Sequence, residues 1–171
     1  MKKTWIIPVV LALFCMGCGY HFASGGEHID AAVQKVFIGE FSNNTGEAHI
    51  ENYVRNAFFS RFRRGSRFKP VASIGEADAS LTGKIVAITT SHLSYGNSDL
   101  TKEDSVTMTL VVVFKKTGSG EIIWMNTGLS ESEAFAVSAN TTTTARSKET
   151  ALRKLSIDMA KKIYRNIMSG F

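Results

Sequence analysis

Two cysteines, Cys15 and Cys18, stand three residues apart near the amino end, and the chain has no others. A C-x-x-C pair can ligate a metal or run thiol–disulfide chemistry. Here both cysteines follow an apolar run and no second pair lies downstream, so neither use is expected. A thiolate has a third use: it is the nucleophile that accepts diacylglycerol as a thioether. The surroundings of Cys18 suit that chemistry. Met1-Lys2-Lys3 is positive, Trp5 to Phe14 is apolar apart from Pro8, and Cys15-Met16-Gly17 is small or apolar. The apolar run is short of the roughly 20 residues a membrane span needs and has the layout of a secretory signal. Gly17 supplies the small residue a processing protease requires before the new amino terminus.

Residues 1–17 are therefore expected to be removed as a lipoprotein signal peptide, with lipid attachment at Cys18. The covalent diacylglycerol and N-acyl chain would be the only non-protein groups; no cofactor and no metal are expected. Each acyl methylene contributes about 0.8 kcal/mol, and two or more chains anchor stably. The segment resembles a lipobox: Gly17 and Cys18 match its two most constrained positions, while Met16 and Cys15 are looser substitutes. Lipoproteins that stay in the inner membrane tend to carry Asp after the cysteine. Gly19 stands there, which implies a chain lipid-anchored to the outer membrane on its periplasmic side.

No other residues form a catalytic pattern. His21, His28, His49 and His92 are scattered without metal-ligand spacing, and there is no G-x-S-x-G, P-loop or dinucleotide fingerprint. Asp78, between two alanines, reads as a turn or cap residue; Glu131 and Glu133 alternate on one strand and read as solvated. Enzymatic activity is not expected. The conspicuous charge feature is the basic run Arg61, Arg63, Arg64, Arg67 and Lys69. It reads either as a solvated helix C-terminus that complements the helix dipole or as a contact for lipopolysaccharide or anionic lipid, since guanidinium forks fit phosphate. Lys102, in the polar loop Tyr95–Asp104, is a further candidate on charge and exposure. Of the formal net charge of +5, Lys2 and Lys3 leave with the signal; a mildly basic exported chain is not expected to bind nucleic acid.

The 171 residues, 44% hydrophobic and 20% charged, suit one domain around one core. Residues 18–33, glycine-rich, read as a lipidated amino terminus and tether, and 34–171 as a single α+β domain. Val36–Phe41 reads as a strand. A helical period runs on through Ile50, Tyr53, Val54, Ala57, Phe58 and Phe62, with Thr45 or Asn44 as its cap and Gly65 as its stop. Phe68–Ser73 contains Pro70 and should be an edge strand. A long strand over Ser80–Leu93 places Leu81, Gly83, Ile85 and Ala87 on one face and Val86 and Ile88 on the other. Ser105–Lys116 alternates Met108, Leu110, Val112 and Phe114 against Thr107, Thr109, Val111 and Val113. Thr117–Gly120 is a hairpin turn, and the return strand runs from Glu121 to about Phe135. The threonine run within 139–144 reads as loop. A closing helix carries Leu152, Leu155, Met159, Ile163 and Ile167 on one stripe.

These elements predict a two-layer sandwich: two helices packed on one face of a mixed, mainly antiparallel sheet of four to five strands, its first β-α-β unit parallel. The face bearing Thr107, Thr109, Val111 and Val113 either meets water or packs against a partner.

Cys18-Gly19-Tyr20-His21-Phe22 after an apolar signal is similar to the start of the lipopolysaccharide-assembly lipoprotein family LptE. Further features fit its pattern: the strand and turn Val36–Asn44, the run Ala77-Asp78-Ala79-Ser80-Leu81-Thr82-Gly83-Lys84-Ile85 opening the long strand, and Ala151, Leu152 and Leu155 early in the last helix. The resemblance covers nearly all of the mature chain. It implies two helices against a mainly four-stranded sheet and a complex with the outer-membrane β-barrel protein LptD. The chain would plug that barrel, assist its assembly, bind lipopolysaccharide and help insert it into the outer leaflet. The alternative is an envelope lipoprotein of a secretion or scaffolding system without a barrel partner. Its support is the Phe41-Ser42-Asn43-Asn44-Thr45 turn, which other envelope lipoproteins share.

Overall fold

A computed structural model describes residue 26 and residues 28–93 and 102–170. Cys18, the signal peptide and most of the loop Tyr95–Asp104 lie outside these residues. The elements are β1 (Lys35–Asn43), α1 (Ile50–Arg64), β2 (Lys69–Val71), a single 3₁₀ turn (Ile74–Glu76), β3 (Ala79–Leu93), β4 (Glu103–Lys116), β5 (Ile122–Ala136) and α2 (Thr141–Ser169). The sheet has five strands in the order β2-β1-β3-β4-β5. β1 runs parallel to both β2 and β3, and β3, β4 and β5 form an antiparallel meander. This is the expected α+β two-layer sandwich, with Pro70 on the edge strand.

Strict alternation in β4 builds the core. Val106, Met108, Leu110, Val112 and Phe114 are fully buried, whereas Thr107, Thr109, Val111 and Val113 are half-buried. Above the buried row lie Ile50, Val54, Phe58 and Phe62 of α1 and Leu152, Leu155, Met159, Ile163 and Ile167 of α2. At one end the core is aromatic. Phe62 stacks on Phe68 at 5.6 Å between ring centroids and meets Tyr164 edge-on at 5.1 Å. Packing begins ahead of residue 34: Ile29 and Val33, in the segment read as a tether, are buried.

Three local readings are corrected. The alternation of β3 does not run through unbroken: a bulge shifts the register between Ile85 and Ala87. An extra residue reverses the parity of the positions after it, so Ile88 rather than Ala87 packs against the core and Val86 is exposed. The threonine run opens α2 instead of a loop, because the side-chain oxygen of Asn140 accepts from the backbone N–H groups of Thr142 and Thr143. Neither Asn44 nor Thr45 caps α1. The Thr45 hydroxyl is engaged by Asn43 and by the Glu47 N–H, and His49, at φ 64°, occupies the cap position without a side-chain bond.

Asp78 is the turn residue its sequence context suggested. Its Oδ2 accepts from the backbone N–H groups of Lys35 at 2.7 Å and Gln34 at 2.9 Å, tying the start of β1 to the entry of β3. These two bonds, Lys35 first, hold its carboxyl below the usual carboxylate range. A depressed carboxylate pKa stabilises above its unfolded value, and the contribution is lost as pH falls through the folded value. Asp78→Asn is therefore expected to lower stability most near neutral pH, the gap to wild type narrowing as the solution is acidified. Urea unfolding at about pH 7 and about pH 3 checks this; a gap that does not narrow on acidification contradicts it.

Candidate functional site

The structure does not keep the basic run together. Arg61 and Arg64 are three apart on the last turn of α1, so they share a face, and that face turns toward α2. Arg63 is exposed and lies outside the groove they enter. Arg67 is a clamp: its guanidinium donates to the carbonyls of Val33 at 2.9 Å, Asp30 at 3.0 Å and Ile29 at 3.4 Å, and lies 5.4 Å from the Phe68 ring. Those bonds fix the segment ahead of β1. Lys69 sits on the edge strand opposite Lys35. Lys102 immediately precedes β4, where its carbonyl accepts from the Val137 N–H and its side chain is exposed.

Arg61 and Arg64 meet Lys161, Lys162 and Arg165 of α2 in an open groove of about 710 Å³. The residues on α2 were missed in the sequence, although 161, 162 and 165 have the spacing of one helical face. Two carboxylates border the groove, and each is taken. Asp158 pairs with Lys161 at 2.8 Å, and Glu131 pairs with Lys162. Glu131 thus points to the helical side of the sheet, as does Glu133, which pairs with Lys154; neither is simply solvated. The Arg61 guanidinium lies over the Tyr164 ring, 4.3 Å from its centroid, and its Nε is buried without a hydrogen-bond partner. Burial raises the Tyr164 pKa, so its phenol stays neutral against the two arginines that oppose the shift.

A second cleft of about 400 Å³ shares Arg64 and continues the seam between the helices past Asn56, Ser60 and Arg153. Arg153 covers the Tyr53 ring at 3.9 Å and donates to the Tyr53 hydroxyl and to Glu149, while the Tyr53 hydroxyl donates to Glu149. Hydrogen bonds from Arg153 and then Tyr53 lower the Glu149 pKa, which favours its charged form in the ion pair with Arg153.

Among the described residues no helix covers the opposite face of the sheet. Thr107 and Thr109 bond through their hydroxyls to Ser132 and Ser130, each at 2.7 Å. Those polar groups are satisfied within the sheet. Toward the hairpin end the face becomes apolar: Val113 pairs with Met125, and Met125 and Ile122 are 49% and 55% exposed. Val111 and Val113 join this apolar end, so the four residues singled out in the sequence divide into a hydroxyl ladder and a greasy strip. Among the described residues no group of His, Cys, Asp or Glu could hold a metal ion, and no helix is long and apolar enough to cross a membrane.

Residues 33–167 match the family described as LptE, lipopolysaccharide-assembly. The chain belongs to the LptE family. The match runs from Val33 to Ile167, both buried core residues, so it spans the folded domain nearly end to end. LptE proteins are non-catalytic assembly lipoproteins, which gives this chain a role in lipopolysaccharide assembly in the bacterial envelope. Solved structures share the LptE-type sandwich at low sequence identity. Lipoprotein B from Nitrosomonas europaea superposes with a TM-score of 0.54 at 14% identity, covering 80% of this chain and 83% of the other. Rare lipoprotein B from Shewanella oneidensis gives 0.51 at 14%, covering 80% and 96%. A lipoprotein from Caulobacter crescentus CB15 gives 0.53 at 9%, covering 75% and 88%. These likenesses are of fold. No curated protein matches the sequence.

Proposed function

We propose that this chain is an outer-membrane lipoprotein, held on the periplasmic side by acyl chains on Cys18, that binds an LptD-like β-barrel as plug and assembly factor. In that complex it takes part in lipopolysaccharide transport and insertion into the outer leaflet. The observation that carries this reading is the LptE match over the whole folded domain. The two surfaces are compatible with it. The sheet face that no described helix covers, where Thr107 and Thr109 pair with Ser132 and Ser130 and the hairpin end exposes Ile122 and Met125, offers a partner surface on which those paired hydroxyls cost little to desolvate. The cationic groove offers donors to lipopolysaccharide phosphates.

Capture of the tagged, processed chain from detergent-solubilised outer membranes, with mass spectrometry of its partners, is the test. A large β-barrel protein is expected in stoichiometric amount, and depletion of the chain should leave that barrel misfolded. Recovery of inner-membrane or peptidoglycan components alone would favour the scaffolding alternative and end the plug reading. In the same cells a Cys18→Ala variant is expected to incorporate no palmitate and to leave the membrane fraction. Continued labelling would refute the anchor.

A further inference from the structure

We infer that the groove between the last turn of α1 and the second half of α2 is a built site for a phosphorylated saccharide, with phosphate held by Arg61, Arg64 and Arg165. The identity of the ligand as the headgroup of lipopolysaccharide rests on the proposed function; the anion chemistry rests on the groove itself.

The helix dipole accounts for only part of this charge. Cations on the last turn of α1 complement its C-terminal carbonyls, which is reason enough for Arg61 and Arg64 taken alone. Lys161, Lys162 and Arg165 lie before the final turn of a helix that ends at Ser169, on a different element. No dipole asks for them, yet they face the same space. Five cations thus converge on one groove with two carboxylates, and the two lysines take both carboxylates. Arg61, Arg64 and Arg165 form no ion pair with any described residue.

The three left over are all arginines. A guanidinium presents planar forked donors that match two phosphate oxygens at once, which an ammonium does not. Arg61 is also pre-set. It is stacked on Tyr164, and Tyr164 is fixed by Phe62 and by Gly65, where a Cβ would come within 2.2 Å of the phenol oxygen. A guanidinium already immobilised loses less entropy when it binds.

The shape selects the rest of the ligand. The groove of about 710 Å³ has the size of a small-molecule site. It continues into the neighbouring cleft, where Ser60 and Asn56 offer hydroxyl and amide partners beside Arg64 and Arg153. Cationic donors at one end and neutral hydrogen-bonding groups along the other suit a sugar that carries phosphate. They suit a simple phospholipid headgroup less well.

The full processed chain in detergent would be titrated with purified lipopolysaccharide, with the same material after phosphatase treatment, and with phosphatidylglycerol and phosphatidylcholine vesicles. Arg64→Glu with Arg165→Glu changes two exposed side chains and leaves the Arg61–Tyr164 stack in place. This double variant is expected to weaken lipopolysaccharide binding by about tenfold or more while the melting temperature holds. Lys84→Glu with Lys115→Glu, which makes the same charge change at distant exposed positions, is expected to stay within about twofold of wild type. Equal loss in both double variants would reduce the effect to net charge and overturn the site. So would undiminished binding of the phosphatase-treated material. Phosphatidylglycerol binding as tight as lipopolysaccharide, and equally sensitive to Arg64→Glu with Arg165→Glu, would overturn the saccharide and leave a phospholipid site. Capture of the barrel by this variant, with lipopolysaccharide binding lost, separates the groove from the plug reading. Failure to capture any barrel with phosphate binding intact would sink the plug reading and not the groove.

Discussion

Phe62→Ala is expected to destabilise the domain by about 3–5 kcal/mol, the range for emptying a fully buried aromatic position. Phe62 is fully buried and touches rings from three other parts of the chain: Phe68 at 5.6 Å, Phe114 of β4 at 6.3 Å and Tyr164 of α2 at 5.1 Å. Its neighbours cannot collapse into the space together, because they come from separate parts of the chain and Phe68 and Phe114 already meet edge-on at 5.6 Å. The cavity term should therefore add to the lost transfer energy. In a domain of this size the melting temperature should fall on the order of 10 °C. Phe59→Ala, three residues earlier and 37% exposed, removes the same atoms from the outer side of α1 and should cost about 1 kcal/mol or less. Thermal and urea unfolding of the two variants gives the comparison. Near-equal losses would mean that the aromatic cluster does not form. Phe62→Ala should also loosen the Tyr164 shelf beneath Arg61, so any lipopolysaccharide binding that survives in it should be weaker than wild type.

Periodicity carried the elements that obey a single period from end to end. β4 alternates through Val106 to Phe114 without a fault, and the stripe from Leu152 to Ile167 is wholly buried. Both were readable because each position has one neighbour pattern and no exception. The bulge in β3 was not readable: Val86, Ala87 and Ile88 are all small or apolar, so a reversal of parity leaves no trace in their types. The start of α2 was hidden by threonine, a modest helix former whose cost is offset by a cap on Asn140.

The candidate site was half legible for a different reason. Arg61 and Arg64 stand out as part of a run, but the run treats five cations alike, and only the fold separates the clamp Arg67 from the groove residues. Lys161, Lys162 and Arg165 lie far along the chain, on the closing helix. Their face is visible as spacing, yet nothing local says that it looks at α1, since that depends on how two helices pack over one sheet.

Gly83→Ala should reverse the usual sign of its substitution type. Alanine in a strand interior ordinarily gains roughly 0.5–1 kcal/mol over glycine, because glycine has more freedom to lose. At Gly83 a Cβ would lie 2.5 Å from Cε1 and 2.7 Å from Cδ1 of Phe41, and 2.7 Å from the carbonyl oxygen of Val111. Phe41 is opposite Gly83 in the parallel pair with β1 and stacks on Phe58 at 5.0 Å, so its ring cannot swing away without disturbing α1. The Val111 carbonyl belongs to the backbone of β4, which is paired on both sides. Overpacking against two fixed neighbours costs about 1–3 kcal/mol, and that should outweigh the entropic gain. Gly128→Ala in β5 is the matched control: nothing lies within 4 Å of its Cβ position, so it should be neutral or slightly stabilising. Trimming the ring with Phe41→Leu in the Gly83→Ala background should recover only part of the loss, because the contact with the Val111 carbonyl remains. Full recovery in urea unfolding would mean that the aromatic ring alone demands glycine at 83. A net gain from Gly83→Ala would mean that the strands do not approach as closely as the fold requires.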